Sequence, residues 1–151
     1  MLFRSTFIVD ETGKEINFDL LKKIISIYQE RLKVLSEISE LTNFFFKDRL
    51  EYNKELLRWK NMTDEEIIQS LDKIEEILDK IKKEKFSKEN LEKIILPETE
   101  RFETGDRGAL LWPFRVALTG KRASAGPFEI AEILGKEKCI KRIKEAKIKI
   151  K

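Results

Sequence analysis

The sequence predicts an all-α fold. Three observations lead there. Apolar residues recur at three- and four-residue steps in several separate stretches, the period of an amphipathic helix. Proline opens and glycine closes two further short stretches, the asymmetry expected at helix ends. Charged residues make up 39% of the 151 residues and hydrophobic ones 41%, a balance that suits helices with one buried stripe and one solvated face.

Taken in order, residues 1–15 read as irregular or strand-like, and "TFIVDETGKEINF" could form a short hairpin turning at Thr12-Gly13. "NFDLLKKIISIYQERLKVLSEIS" follows as a helix, with Leu20, Leu21, Ile24, Ile25, Tyr28, Leu32 and Leu35 on one stripe and Asn17 or Asp19 as its cap. The three consecutive phenylalanines of "NFFFKD" cannot share one helix face, so they are expected as an aromatic plug at a helix junction. "NMTDEEIIQSLDKIEEILDKIKKEKF" carries the clearest helix signal. Thr63 and Glu66 make a capping box, and Ile67, Leu71, Ile74, Ile77, Leu78 and Ile81 form its stripe. A shorter helix starts after Ser87, and Pro97 is expected to stop or kink it.

The next stretch, "ETGDRGALL", reads as a turn. "WPFRVALTG" reads as a helix with Pro113 in its first turn and Gly120 just past its end; "PFEIAEILG" repeats the pattern with Pro127 and Gly135. "KEKCIKRIKEAKIKIK" closes the chain as a helix with Ile140, Ile143 and Ala146 inward.

Composition excludes several functions. There is no histidine, which removes the commonest general base and metal ligand and rules out a Ser-His-Asp triad. No Gly-rich phosphate loop of either common pattern occurs. The acid pairs Glu65–Glu66 and Glu75–Glu76 are adjacent on a helix and do not converge on one point. The single Cys139 permits no internal disulfide, fits a reducing cytosol, and reads as a packed side chain. No apolar run reaches the ~18 residues of a membrane span. Net charge is +3 but unevenly spread: residues 63–84 hold eight acids against four lysines, and residues 136–151 eight basic residues against two acids. A basic end can meet a polyanion. Composition alone favours the plainer reading, a helix with lysines on its outer face.

The segment "KRASAG" lies between the two proline-opened helices, with Arg115 one turn before it. A loop held in few shapes, carrying Lys, Arg, Ser and exposed backbone groups, suits single-stranded nucleic acid, with Phe128 able to support an unstacked base. The plainer alternative is a helix–loop–helix corner that proline and glycine merely punctuate. Trp112 and Phe114 read as core anchors rather than base platforms.

The same residues carry a resemblance. "LWPFRVALTGKRASAGPFEIAEILGKE", with its Trp-Pro-x-Arg, Ala-Leu-Thr-Gly, Gly-Pro-Phe-Glu and Leu-Gly-Lys-Glu elements, resembles the C-terminal anticodon-binding region of bacterial-type glutamyl-tRNA synthetases, which are class I aminoacyl-tRNA ligases. Upstream, "LLKKIISIYQERLKVLSEISELTNFFF" resembles the helix entering that region, so the likeness covers roughly residues 18–150, while residues 1–17 match poorly.

The resemblance implies two small helical subdomains, 18–100 and 101–151, forming an anticodon-binding α-helix cage. It implies that Arg115 meets the central anticodon base or its neighbour. Ser124, Ala125, Gly126 and Pro127, with Phe128 behind, would border the first two bases, and Lys121 and Arg122 would meet phosphates. Ala125 stands where the family more often has proline, so the loop would be slightly less stiff. Arg31 and Arg49 are candidates for third-base contacts. The family's catalytic half carries His-Ile-Gly-His and Lys-Met-Ser-Lys-Ser type motifs that bind ATP, and this chain has neither. ATP, with Mg, would thus belong to a parent catalytic domain, and no cofactor is expected here. The chain is expected to be a piece of a longer cytoplasmic enzyme, the alternative being a free-standing appended-domain relative that binds protein. The expected partner is the anticodon arm of glutamate tRNA, not DNA or membrane, and the expected state is a monomer.

Overall fold

The computed structural model describes residues 6–8, 15–33, 37–102 and 105–151, which fall into two compact units, Met1–Arg49 and Leu50–Lys151. The boundary expected at 100/101 lies inside the second unit.

In the first unit, strands β1 (Thr6–Ile8) and β2 (Glu15–Asn17) pair antiparallel, with Phe7 opposite Ile16. The expected Thr12-Gly13 turn lies outside the described residues. Asn17 ends β2 and caps α1 (Phe18–Tyr28), its side-chain oxygen accepting from the Leu20 amide at 2.7 Å. The helix stops at Tyr28, short of the expected stripe through Leu32, and Ile25 is exposed; Leu35 lies outside the described residues. After the single-turn α2 (Ile38–Thr42), a tight 3₁₀ turn at Asn43–Phe45 points Phe44 and Phe45 inward. Their rings stack at 4.3 Å, and Tyr28 meets Phe45 edge-on at 6.4 Å. The expected aromatic plug is therefore present, built by a change of helical pitch rather than by one helix face.

Among the described residues, the regular elements of the second unit are all helical: α3 (Asp64–Lys80), α4 (Lys88–Arg101), α5 (Arg107–Thr119), α6 (Pro127–Leu134) and α7 (Lys136–Ile150), with 3₁₀ turns at Lys54–Leu57 and Lys83–Lys85. Helix α5 is the hub, packed against α3, α4, α6, α7 and the Lys54–Leu57 turn. The Thr63–Glu66 capping box forms, and the whole predicted stripe of α3 is buried. Each such Leu or Ile contributes roughly 1.5–3 kcal/mol of burial. The acidic and basic charge runs partly answer each other: the Lys147 ammonium of α7 sits 2.7 Å from Asp72 and also binds Glu75, and Lys144 lies 3.7 Å from Glu75.

Three local expectations change. Helix α4 runs through Pro97 to Arg101. Pro97 is exposed, and so is Lys93, whose carbonyl it leaves without an intrahelical amide partner. Helix α5 begins at Arg107, inside the stretch read as a turn, so Pro113 is an interior, buried residue. The reason is distant in sequence. Asp106 caps the helix and also binds Trp59, while Gly108 lets the backbone lie against the Trp59 ring. Finally, Ile140 is only half-buried, while Cys139 and Arg142 share the inward face with Ile143 and Ala146. Arg142 is accommodated by donating to the Leu118 carbonyl near the end of α5. Gly135 both closes α6 and opens α7: its amide donates to Ala131 at 2.9 Å and its carbonyl accepts from Cys139 at 3.1 Å.

Candidate nucleic-acid interface

Helix α5 ends because Gly120 takes a left-handed backbone, φ +65°, that a side chain would resist. The chain then turns through residues 121–126 into α6, whose first residue is Pro127. Thr119, buried at the last helical position, stitches this exit. Its hydroxyl donates to the Arg115 carbonyl at 2.9 Å and accepts from the Lys121 amide at 3.1 Å.

The Arg115 guanidinium holds the loop from inside. It donates to the Ser124 hydroxyl at 2.8 Å, to the Arg122 carbonyl at 2.7 Å and, more weakly, to the Lys121 carbonyl at 3.4 Å. Its Cζ lies over the Trp112 ring, 4.7 Å from the centroid, as a cation–π contact. Trp112 is fixed in turn, its indole N–H donating to the Leu56 carbonyl at 2.9 Å and its ring lying 5.2 Å from that of Trp59. The loop is thus preorganised by a chain of supports reaching back to the Lys54–Leu57 turn.

The predicted site residues divide by position. Arg115, Lys121, Arg122, Ser124, Ala125, Gly126, Pro127 and Phe128 come together around this one loop. Arg122 is exposed and Lys121 half-buried, and neither has an ion pair among the described residues. Ser124, Gly126 and Pro127 are half-buried at the lip, with the Ser124 hydroxyl donating to the Ala125 carbonyl at 2.9 Å. Ala125 is fully buried, and Phe128 is 7% exposed. Phe128 therefore offers little open face for stacking a base. Arg31 and Arg49 belong to the first unit, where both are exposed. Sequence reading passed over Thr119. The available signal was a hydroxyl residue immediately before the terminating glycine, where it can reach back to a helix carbonyl.

Charges around the loop are set by short contacts. Glu129, in the first turn of α6, pairs with Lys88 of α4 at 3.1 Å, and this hydrogen bond raises the lysine's affinity for its proton. At the opposite end of α5 from the loop, the Asp106 carboxyl accepts from Lys60 at 2.6 Å, Trp59 at 3.1 Å and the Gly108 amide at 2.9 Å. Those donors, Lys60 foremost, hold its pKa down at about 2. Burial pushes the Cys139 thiol up to about 12, so it is a packing group and not a nucleophile.

A family model described as an anticodon binding domain matches residues 3–147. The chain belongs to that family. Among curated proteins, this anticodon-binding domain is 31% identical over 134 residues to glutamate–tRNA ligase 2 of Thermoanaerobacter pseudethanolicus, covering 89% of the chain and 27% of that protein. It is 39% identical over 127 residues to the glutamate–tRNA ligase of Clostridium botulinum strain Hall, covering 82% of the chain and 25% of that protein. The domain therefore spans about a quarter of the length of these relatives, and it is homologous to their anticodon-binding part. A crystal structure of a glutamate tRNA ligase from Elizabethkingia meningosepticum, in complex with its amino acid, superposes with a TM-score of 0.76 over 93% of this chain and 27% of that one. At 22% identity that match speaks for the shared fold.

Proposed function

We propose that this domain reads the anticodon of glutamate tRNA and so positions that tRNA for charging by a catalytic part that the 151 residues do not include. The observation that carries the reading is the braced loop: Arg115 fixes residues 121–124 from within, leaving Lys121 and Arg122 without ion pairs among the described residues. A loop of fixed shape can discriminate bases, because little ordering remains to be done on binding.

In this reading Arg115 meets the central anticodon base or its neighbour, the Ser124–Pro127 lip borders the first two bases, Lys121 and Arg122 meet flanking phosphates, and Phe128 backs the loop. Arg31 and Arg49 are the candidates for third-base contacts. The chain does no chemistry by itself. ATP, with Mg, would act in the catalytic part, since the residues here include neither nucleotide-binding motif and no histidine. The protein works as a monomer in the cytoplasm.

The test is tRNA binding by the chain at two salt concentrations, with native glutamate tRNA against the same tRNA altered at its central anticodon base. Tighter binding to the native anticodon is expected. Equal, salt-sensitive binding to both would reduce the loop to a basic patch and overturn the reading.

A further inference from the structure

A second basic surface lies in the groove between α3 and α4. Lys73, Lys80, Lys82, Lys85 and Lys93 line it, along with Glu76 and Glu98. The two acids are already answered inside the groove, Glu98 by Lys73 at 2.9 Å and Glu76 by Lys80 at 2.5 Å. Lys82, Lys85 and Lys93 remain exposed, and none has an ion pair among the described residues. The groove thus carries three uncompensated positive charges.

Their backbone is held in place. The Asn90 side-chain amide donates to the Lys85 carbonyl at 3.0 Å, and the Lys136 ammonium donates to the Asp79 and Ile81 carbonyls at 2.8 Å each. The basic end of the groove is also joined to the candidate site. Lys88, three residues after Lys85, pairs with Glu129 at the start of α6, directly after the 121–126 loop.

We propose that this groove holds backbone phosphates of the RNA whose loop is met at residues 121–128, as a sequence-independent second contact. The proposal rests on the reading that the chain binds tRNA. Charge complementarity and continuity with the loop favour RNA over a protein helix. An acidic amphipathic helix would need an apolar floor, and only Ile94, 42% exposed, is open, since Ile77 and Ile81 are 8% and 6% exposed. Lone lysines on long stems need no such floor to neutralise phosphates.

The experiment compares the full chain with a Lys82→Ala/Lys85→Ala/Lys93→Ala variant and with a control, Lys141→Ala/Lys144→Ala/Lys151→Ala, on α7 and at the residue just past its end. Each binds native and central-base-altered glutamate tRNA across a salt series, with circular dichroism confirming the helical fold. The groove variant should lose about tenfold or more in affinity for both tRNAs equally, and the slope of log K against log salt should fall by about 2 to 3. The control should lose much less. Unchanged affinity and slope in the groove variant, while the parent chain still prefers the native anticodon, would overturn the groove proposal alone. An equal loss in the control would overturn it too, in favour of bulk charge. Loss in the groove variant without any anticodon preference in the parent would support the groove and sink the base-reading role. Absence of tRNA binding by the parent would overturn both. Intact RNA binding, together with variant-sensitive binding of a synthetic acidic amphipathic peptide, would assign the groove to protein and overturn the proposal.

Discussion

The Arg115 guanidinium donates to the Ser124 hydroxyl at 2.8 Å, tying the third turn of α5 to the residues that lead into α6. With its bonds to the Lys121 and Arg122 carbonyls, one side chain replaces the backbone ladder that this loop lacks. Arg115→Ala should therefore loosen residues 121–126 as well as weaken tRNA discrimination. Trypsin cleavage after Lys121 or Arg122 should accelerate, and stability should fall by about 1–3 kcal/mol. Arg115→Lys should rescue little, because an ammonium lacks the two-nitrogen fork that reaches these three acceptors and the delocalised charge that favours an aromatic ring. Ser124→Ala should show a smaller version of the same effect. A loop equally resistant to trypsin in Arg115→Ala would remove the bracing role.

Gly108 is required by crowding. A Cβ built there would lie 2.2 Å from Cε2 and 2.4 Å from Nε1 of Trp59. In an open helix, Gly→Ala gains up to about 1 kcal/mol. Here Gly108→Ala should instead destabilise by about 1–3 kcal/mol, as overpacking does. Denaturant midpoints measure the loss, and tryptophan emission should report the displaced ring. A Trp59→Phe background should recover part of it.

Asp106 makes stability depend on pH in a defined window. Its carboxyl titrates near 2 in the folded chain, below the ~3.9 of an unfolded aspartate, so its contribution is complete above the unfolded value and fades as pH falls toward 2. The melting temperature of Asp106→Asn should lie below that of the parent at pH 6. The gap should close steadily between pH 4 and pH 2. A gap that stays constant down to pH 2 would mean that charge at Asp106 contributes nothing. Asparagine can still cap α5 through the Gly108 amide, so the comparison isolates the Lys60 and Trp59 contacts from the cap itself.

What could be read from the sequence was what short-range physics decides. The α3 stripe and its capping box involve residues three or four apart, and both form as expected. Gly120, Pro127 and Gly135 mark helix ends by their own backbone preferences, so they too were legible. Gly108 and Pro113 misled because a tryptophan some fifty residues earlier decides their setting. Gly108 resembles a turn residue until Trp59 is seen where its side chain would stand. The Arg115 brace was hidden for another reason: two of its three acceptors are backbone carbonyls, which leave no mark in a residue pattern. Phe128 was expected behind the loop, and it is buried. Its burial follows from the packing of α6 on α4, α5 and α7, which the local pattern does not encode.

Gly135 stands at the junction of α6 and α7 with φ +83° and ψ 161°, and apart from its own chain neighbours no atom lies within 4 Å of where its Cβ would be. Space is open there, so what excludes other residues is handedness. The mirror image of that backbone is ordinary extended chain. A D-alanine introduced at position 135 by chemical ligation should fit without strain and reduce the freedom of the unfolded chain. L-alanine at the same atom-for-atom cost in volume should strain the junction. The corner between the last two helices is in this sense chiral, selecting the absence of an L side chain without touching anything that could reject one.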